Sequence, residues 1–246
     1  VRDRCSILVV DDDDISLAVI AMLLESEGYE VLQASSGEEA LETIAGLEVA
    51  SRPAVVLADL QMPGLCGPEL AADLRAAASE ALLLAMSATP AVSEGYDGFL
   101  KKPLDPAALR KAIGKKDWVG ESPDAQRNSG AARKPAVALD DAIFNNLLGL
   151  MPAKAVAELY GVCLNDTRER IEQIRAAAEA DDLIGVRRIA HSVKGGVGMV
   201  GATRLAAAAA EIELGVYRKE DMPQLLNNLL DCCGELERIL LNKLTL

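Results

Sequence analysis

Apolar and polar positions follow two different rhythms along the 246 residues of the chain. In the first half, short continuous apolar runs alternate with helix-periodic stretches. The runs at 6–10 (SILVV), 30–34 (EVLQA), 54–58 (AVVLA), 81–86 (ALLLAM) and 98–101 (GFLK) have the length and continuity of buried parallel strands. After the first run, Asp14 reads as an N-cap, with Ile15, Val19, Met22 and Leu23 on one helical face and Gly28 as the stop. Further helices fit at 37–46, 67–78 and 105–114, the last opening with Asp105 as cap and Pro106 at the first helical position. Five strands alternating with helices predict an α/β doubly wound parallel sheet. Such sheets bind ligands beyond the carboxyl ends of their strands.

The rhythm breaks at 118–136, where Gly, Ser, Pro and mixed charges occur without apolar periodicity. That stretch reads as a linker between a domain at 1–117 and a second at 137–246. From Leu139 onward every pattern is helical, with helices predicted at 139–149, 153–180, 182–198, 203–217 and 222–243. The second half therefore reads as an all-α antiparallel four-helix bundle domain.

Composition narrows the function classes. Half the residues are hydrophobic but only 3% are aromatic, so the cores are built from small aliphatics. The net charge of −13 argues against a nucleic-acid surface and for acidic clusters that attract cations. The excess sits in residues 1–118, which hold 10 basic and 20 acidic groups. Five cysteines, an odd number without a CxxC pair, suggest neither a disulfide framework nor a zinc site, and fit a reducing, cytoplasmic setting. No apolar run approaches the roughly 18 residues of a membrane span, so no direct membrane insertion is expected. A chain opening at Val1 is expected to be part of something longer, such as the cytoplasmic tail of a membrane-bound protein.

Chemistry collects at the strand ends. Asp11 and Asp12 follow the first run, and Asp59 follows the third. Adjacent parallel strands would bring these carboxylates together, and an all-oxygen cluster with room for water suits Mg²⁺. Ser87 and Lys102 end the fourth and fifth runs. One rim thus offers a metal site, a carboxylate nucleophile, a hydroxyl donor and a fixed cation, a set suited to phosphoryl transfer. An aspartate after a strand is often only a helix cap, and Asp13 and Asp14 read that way. The run of four aspartates lacks the sharp-turn glycine of a calcium loop.

These residues resemble a known family. ILVVDDDD, ADLQMPGLCG and MSAT…GFLKKPL look like the flavodoxin-like receiver domain of two-component response regulators, over about residues 5–117. The resemblance implies Asp59 as phosphoacceptor. It implies Mg²⁺ bound by Asp12, Asp59 and the backbone carbonyl of Gln61, with Asp11 acting through water. Lys102 would pair with the phosphoryl group, Ser87 would move to it on activation, and Phe99 holds the aromatic switch position. Pro103 and Gly67 match the family's residues after the lysine and after the phosphoacceptor loop. One stretch departs from the pattern. Only fourteen residues separate Ser87 from Lys102, with Pro90 and Gly95 among them. The fourth helix is therefore at most a turn or two, and no receiver-type dimer across that face is expected.

In the second half, Leu183, Val186, Ala190, Val193 and Val197 form one apolar stripe, at about 100° per residue. The only histidine, His191, lies more than a right angle from its centre, flanked by Ile184, Arg187, Lys194, Gly195 and Gly198. The imidazole should face solvent or a groove. A neutral imidazole there can attack an acyl phosphate. Lys194 can then stabilise phosphoryl oxygens. Gly195 and Gly198, with Arg187, would form a docking surface without obstructing side chains. A plain surface histidine is the alternative. AHSVKGGVGMVGATRL resembles the histidine-containing phosphotransfer (HPt) domain, and a receiver followed by an HPt domain resembles the carboxy-terminal part of hybrid sensor kinases.

The combined expectation is a phosphotransfer protein of a multistep phosphorelay rather than a turnover enzyme. Its partners would be an upstream histidine kinase domain and a downstream response regulator receiver. GGVGMVG does not fit a nucleotide-binding P-loop. As a flexible coil the linker spans on the order of 25 Å, which permits transfer from Asp59 to His191 within one chain. Two other readings share the first-half residues: a haloacid-dehalogenase-like phosphatase, and a degenerate receiver scaffold that takes no phosphoryl group. The phosphatase family places its nucleophile on the first strand, whereas the candidate here is on the third.

Overall fold

A computed structural model of the chain describes residues 5–88, 93–104, 106–113 and 137–244. The predicted linker at 118–136 and the predicted cap Asp105 lie outside the described residues. The chain divides into two compact units.

The first unit carries a parallel five-stranded sheet, with strands β1 (Ser6–Val10), β2 (Glu30–Ala34), β3 (Val55–Asp59), β4 (Leu82–Ser87) and β5 (Gly98–Lys101). Their spatial order is β2-β1-β3-β4-β5. The chain leaves β1 for one side and returns to its other side for β3, so the carboxyl ends of β1 and β3 flank the switch point where such sheets bind ligands. Helices α1 (Asp14–Ser26), α2 (Gly37–Ala45), α3 (Gly67–Ala77) and α4 (Pro106–Ile113) complete the unit. Ile7 to Val10, Val56 to Ala58 and Leu83 to Met86 are fully buried, as expected of strands covered on both faces.

Several boundaries differ from the sequence reading by a residue. β3 and β4 each sit one residue later, so Asp59 and Ser87 are the last strand residues rather than the residues after the strands. The cap of α1 is Asp13, whose carboxylate accepts from the Ser16 N–H at 2.8 Å, and Asp14 is the first helical residue. Between Ser87 and Gly98 the described residues contain no helix. Instead Gly95, Tyr96 and Asp97 contact one stripe of α3. The Tyr96 hydroxyl donates to the Gly67 carbonyl at 3.3 Å, and Asp97 pairs with Arg75 at 2.7 Å. A Cβ on Gly95 would lie 2.9 Å from that of Ala71. Gly67, Ala71 and Arg75 are spaced by about one helical turn each, so these contacts fall on one face of the helix.

The second unit has α5 (Asp141–Leu150), α6 (Ala153–Glu179), α7 (Leu183–Met199), α8 (Thr203–Leu214) and α9 (Met222–Leu244). Short connections make α6 to α9 antiparallel neighbours, and α6 packs on α7, α7 on α8, α8 on α9 and α9 on α6. α8 stops at Leu214 rather than 217, with the chain extended at Gly215. Ile171, Ile174, Val186, Ala190, Val197, Ala209 and Leu229 form the fully buried interior. The short α5 starts from Asp140, which accepts from the Ala142 and Ile143 N–H groups at 2.8 and 3.2 Å.

Candidate functional site

The register brings the predicted carboxylates together. Val10 pairs with Ala58, so Asp11 and Asp12 leave β1 beside Asp59 at the end of β3. Oxygen atoms of Asp11, Asp12 and Asp59 lie within 4.8 Å of one another. Asp11 and Asp59 are buried and Asp12 is half-buried. Ser87 and Lys102 arrive on the neighbouring strands, through the β4–β5 pairing and the Lys102 N–H donating to the Ser87 carbonyl at 2.9 Å. Lys102 is followed by a cis peptide to Pro103. Its ammonium reaches Asp59 Oδ2 at 2.5 Å and also bonds Asp11.

The electrostatics describe a pocket short of positive charge. Burial, offset only in part by Lys102 and reinforced by Asp59, raises the Asp11 carboxyl to about 7. Burial and then the Asp59 charge also push Asp12 upward. For Lys102, burial alone would lower the ammonium's pKa, but the two carboxylates outweigh it and hold the group charged. Three carboxylates against one ammonium form an oxygen-only donor set that fits Mg²⁺. Asp59 Oδ1 accepts from the Gln61 N–H at 2.9 Å, which fixes one of its two oxygens. The Gln61 side chain takes a different partner: its Oε1 accepts from the Ser87 hydroxyl at 3.2 Å. Phe99 is half-buried on β5.

The second cluster lies on the seam between α7 and α8. The sequence stripe places Val186, Ala190, Val193 and Val197 inside, and they are buried. Leu183 does not follow them: it is exposed at the first turn of α7. His191 points into the seam with its side chain 14% exposed. Its Nδ1 lies 2.6 Å from Glu213 Oε1 on α8, and Lys194 Nζ donates to Glu213 Oε2 at 2.5 Å. One carboxylate thus bridges both residues. Burial alone would raise the Glu213 carboxyl, but the bonds and charges of His191 and Lys194 hold it below its ordinary value of 4.5. An ionised carboxylate only accepts, so the proton facing it sits on Nδ1 and the neutral imidazole keeps its lone pair on Nε2.

Glu213 is the member of this cluster that sequence reasoning missed. It lies 22 positions from His191, with no local pattern linking the two. The expected docking residues are placed as follows. Arg187 is exposed, Gly195 is buried and Gly198 is half-buried, yet a Cβ on either glycine would meet nothing within 4 Å. Apolar side chains also stand out near this seam: Ile184, two turns before His191, is 84% exposed, and Leu214, next to Glu213, is 68% exposed.

Comparison with known proteins gives this geometry a family. Residues 7–114 match the response regulator receiver domain, and residues 158–240 match the Hpt domain. The chain joins a receiver domain to an Hpt domain. Its two domains are those of two-component phosphorelay signalling. The receiver–Hpt chain is 28% identical over 222 residues to the sensor histidine kinase AruS of Pseudomonas aeruginosa, a match covering 84% of this chain and 20% of AruS. It is 32% identical over 133 residues to the transcriptional regulatory protein FixJ of Azorhizobium caulinodans, covering 50% of this chain and 61% of FixJ. The chain therefore spans less than two thirds of the length of these relatives. The receiver domain of the hybrid histidine kinase CckA is 34% identical with a TM-score of 0.39, covering 46% of this chain and 99% of that one. Among the described residues, no helix is long and apolar enough to cross a membrane.

Proposed function

We propose that the receiver–Hpt chain relays a phosphoryl group through Asp59 and His191. The observation that carries this is the pair of prepared nucleophiles. Asp59 is buried beside a lysine and two further carboxylates, and His191 has Nδ1 tied to Glu213. Asp11, Asp12, Asp59 and the Gln61 carbonyl would hold Mg²⁺. When bound, the ion supplies charge neutralisation for phosphoryl oxygens.

The residues divide the work as follows. An Asp59 oxygen attacks the phosphorus of a phosphohistidine on an upstream kinase domain. The P–N bond breaks, its electron pair returns to the ring nitrogen, and the donor imidazole leaves neutral. Lys102, held charged by its carboxylates, pairs with the transferred group, and the Ser87 hydroxyl exchanges Gln61 Oε1 for a phosphoryl oxygen. In the second step His191 Nε2 attacks the acyl phosphate. The P–O bond breaks, Asp59 regains its carboxylate, and the positive charge developing on the imidazole is stabilised by Glu213 through Nδ1–H. Lys194 lies one turn from His191 to meet phosphoryl oxygens. His191 then serves an aspartate on a downstream response regulator. Gly195, Gly198 and Arg187, with the exposed Ile184 and Leu214, form the surface that receives it. Direction follows the partners' equilibria, and transfer from Asp59 to His191 within one chain is compatible with the linker's length.

The test is labelling with a radioactive phosphohistidine donor and Mg²⁺, followed by acid and base. Label lost in base and absent from Asp59→Asn is acyl phosphate. Label lost in acid and absent from His191→Gln is phosphohistidine. Rapid turnover of a small phosphoester would instead indicate a phosphatase, and no adduct on either residue a scaffold.

A further inference from the structure

Between Asp59 and α3 runs the loop of residues 60–66, which begins with the Gln61 carbonyl assigned above to the cation. A loop that supplies a backbone ligand must hold its path, because each bond rotation left free is a cost at binding. Leu60 and Gln61 are anchored on the sheet side, by the Met86 carbonyl at 3.0 Å and by Asp59 Oδ1 at 2.9 Å. The far half of the loop has a different anchor, a side chain from α2. Glu38 Oε1 accepts from the Leu65 N–H at 3.1 Å. Gly64 makes that approach feasible: it has φ +74, and a Cβ there would lie 2.8 Å from Glu38 Oε1 and 3.3 Å from Oε2. The neighbouring Gly37 lies directly against the Leu65 carbonyl, so α2 begins flush with the loop.

Glu38 is exposed, and it adds nothing to the core. Its carboxyl is held below its ordinary value by its own backbone N–H and by that of Leu65, so the acceptor stays ionised at neutral pH. The bond therefore links an exposed side chain of one helix to the loop that follows the phosphoacceptor, and it has no packing role.

We propose that Glu38 is a positioning residue for the Asp59 site: its bond to the Leu65 N–H presets the loop that carries the Gln61 carbonyl. The inference rests on the reading of Asp59 and Gln61 as part of a Mg²⁺ site. It makes Glu38 a contributor to cation affinity that lies outside the core and does not touch the cation.

The experiment compares full-length wild type, Glu38→Ala and Glu38→Gln by three measurements: amide hydrogen exchange at Leu65 and Cys66 without metal, calorimetric titration with Mg²⁺, and thermal unfolding. In Glu38→Ala, exchange at Leu65 should accelerate and Mg²⁺ affinity should fall, each by roughly three- to tenfold, the range of one net hydrogen bond, with the melting temperature falling by no more than the few degrees such a bond is worth. Glu38→Gln keeps an oxygen acceptor and should restore both. Unchanged exchange or unchanged Mg²⁺ affinity in Glu38→Ala would overturn the proposal. So would Glu38→Gln matching the alanine variant, because the effect would then be long-range charge. If wild type itself binds no Mg²⁺, the metal-site reading fails instead, and the exchange data still report on the Glu38 tether.

Discussion

Glu213 Oε1 lies 2.6 Å from His191 Nδ1, while the other oxygen of the same carboxylate holds Lys194 Nζ at 2.5 Å. One side chain on α8 therefore sets both the tautomer of the nucleophile on α7 and the place of the cation beside it. Removing the carboxylate releases both at once, and this makes Glu213 the sharpest test of the second cluster.

Glu213→Ala should slow phosphoryl transfer to His191 by about 10- to 100-fold, the usual cost of losing the partner that orients a functional histidine. Glu213→Gln keeps an oxygen that can accept from Nδ1–H and should retain more activity. Single-turnover transfer from a phosphorylated receiver measures both, and equal rates for wild type and Glu213→Ala would refute the role.

The same carboxylate gives the helical unit a pH signature. Its carboxyl is held below 4.5 in the folded state. A depressed carboxyl stabilises the fold above its unfolded value, and that contribution is lost as pH falls through the folded value. Thermal unfolding of the full chain should therefore show the helical transition falling on acidification below about pH 4.5, and Glu213→Gln should flatten this dependence.

Lys102→Met would leave Asp11 and Asp59 buried without their cation. The α/β unit should lose about 3 kcal/mol at neutral pH, the lower end of the cost of breaking a buried ion pair. Millimolar Mg²⁺ should recover part of that loss, because it replaces the missing positive charge. Denaturant unfolding with and without Mg²⁺ checks both statements, and equal stability of variant and wild type would contradict the pairing.

Gly195 and Gly198 separate folding from docking. Added Cβ atoms meet nothing within 4 Å at either position. Gly198→Ala should therefore keep or raise stability, by up to about 1 kcal/mol, since alanine favours a helix over glycine. Gly198→Leu should fold yet slow transfer from a separate receiver at least tenfold by obstructing its approach, about 1.4 kcal/mol at the encounter. Unfolding curves and transfer rates on the same variants decide this.

Gly95, Tyr96 and Asp97 contact α3 in place of a fourth helix among the described residues. Analytical ultracentrifugation should show no added dimer when Asp59 is phosphorylated. A phosphorylation-dependent dimer that dissociates on substitution of exposed residues at 93–97 would contradict it.

The residues of the first cluster were legible because each sits at the end of an apolar run, and a parallel sheet aligns such ends at one rim. The helices of the second half were legible to within a few residues from their periodicity. The cap of α1 was misplaced by one because four consecutive aspartates offer equivalent candidates and only the backbone turn selects Asp13. Leu183 belongs to the apolar stripe by angle, yet it is exposed at the first turn of α7 while Val186 in the same turn is buried.

Sequence alone thus determined which chemical groups are present and on which element each one lies, because strand and helix periods are local properties. The partnerships came from tertiary packing: Glu213 with His191 across antiparallel helices, Glu38 with the loop after Asp59, Gln61 with Ser87. A hydrogen bond depends on where two backbones come to rest within about 3 Å of each other, and residues distant in sequence acquire that relation only when the cores close.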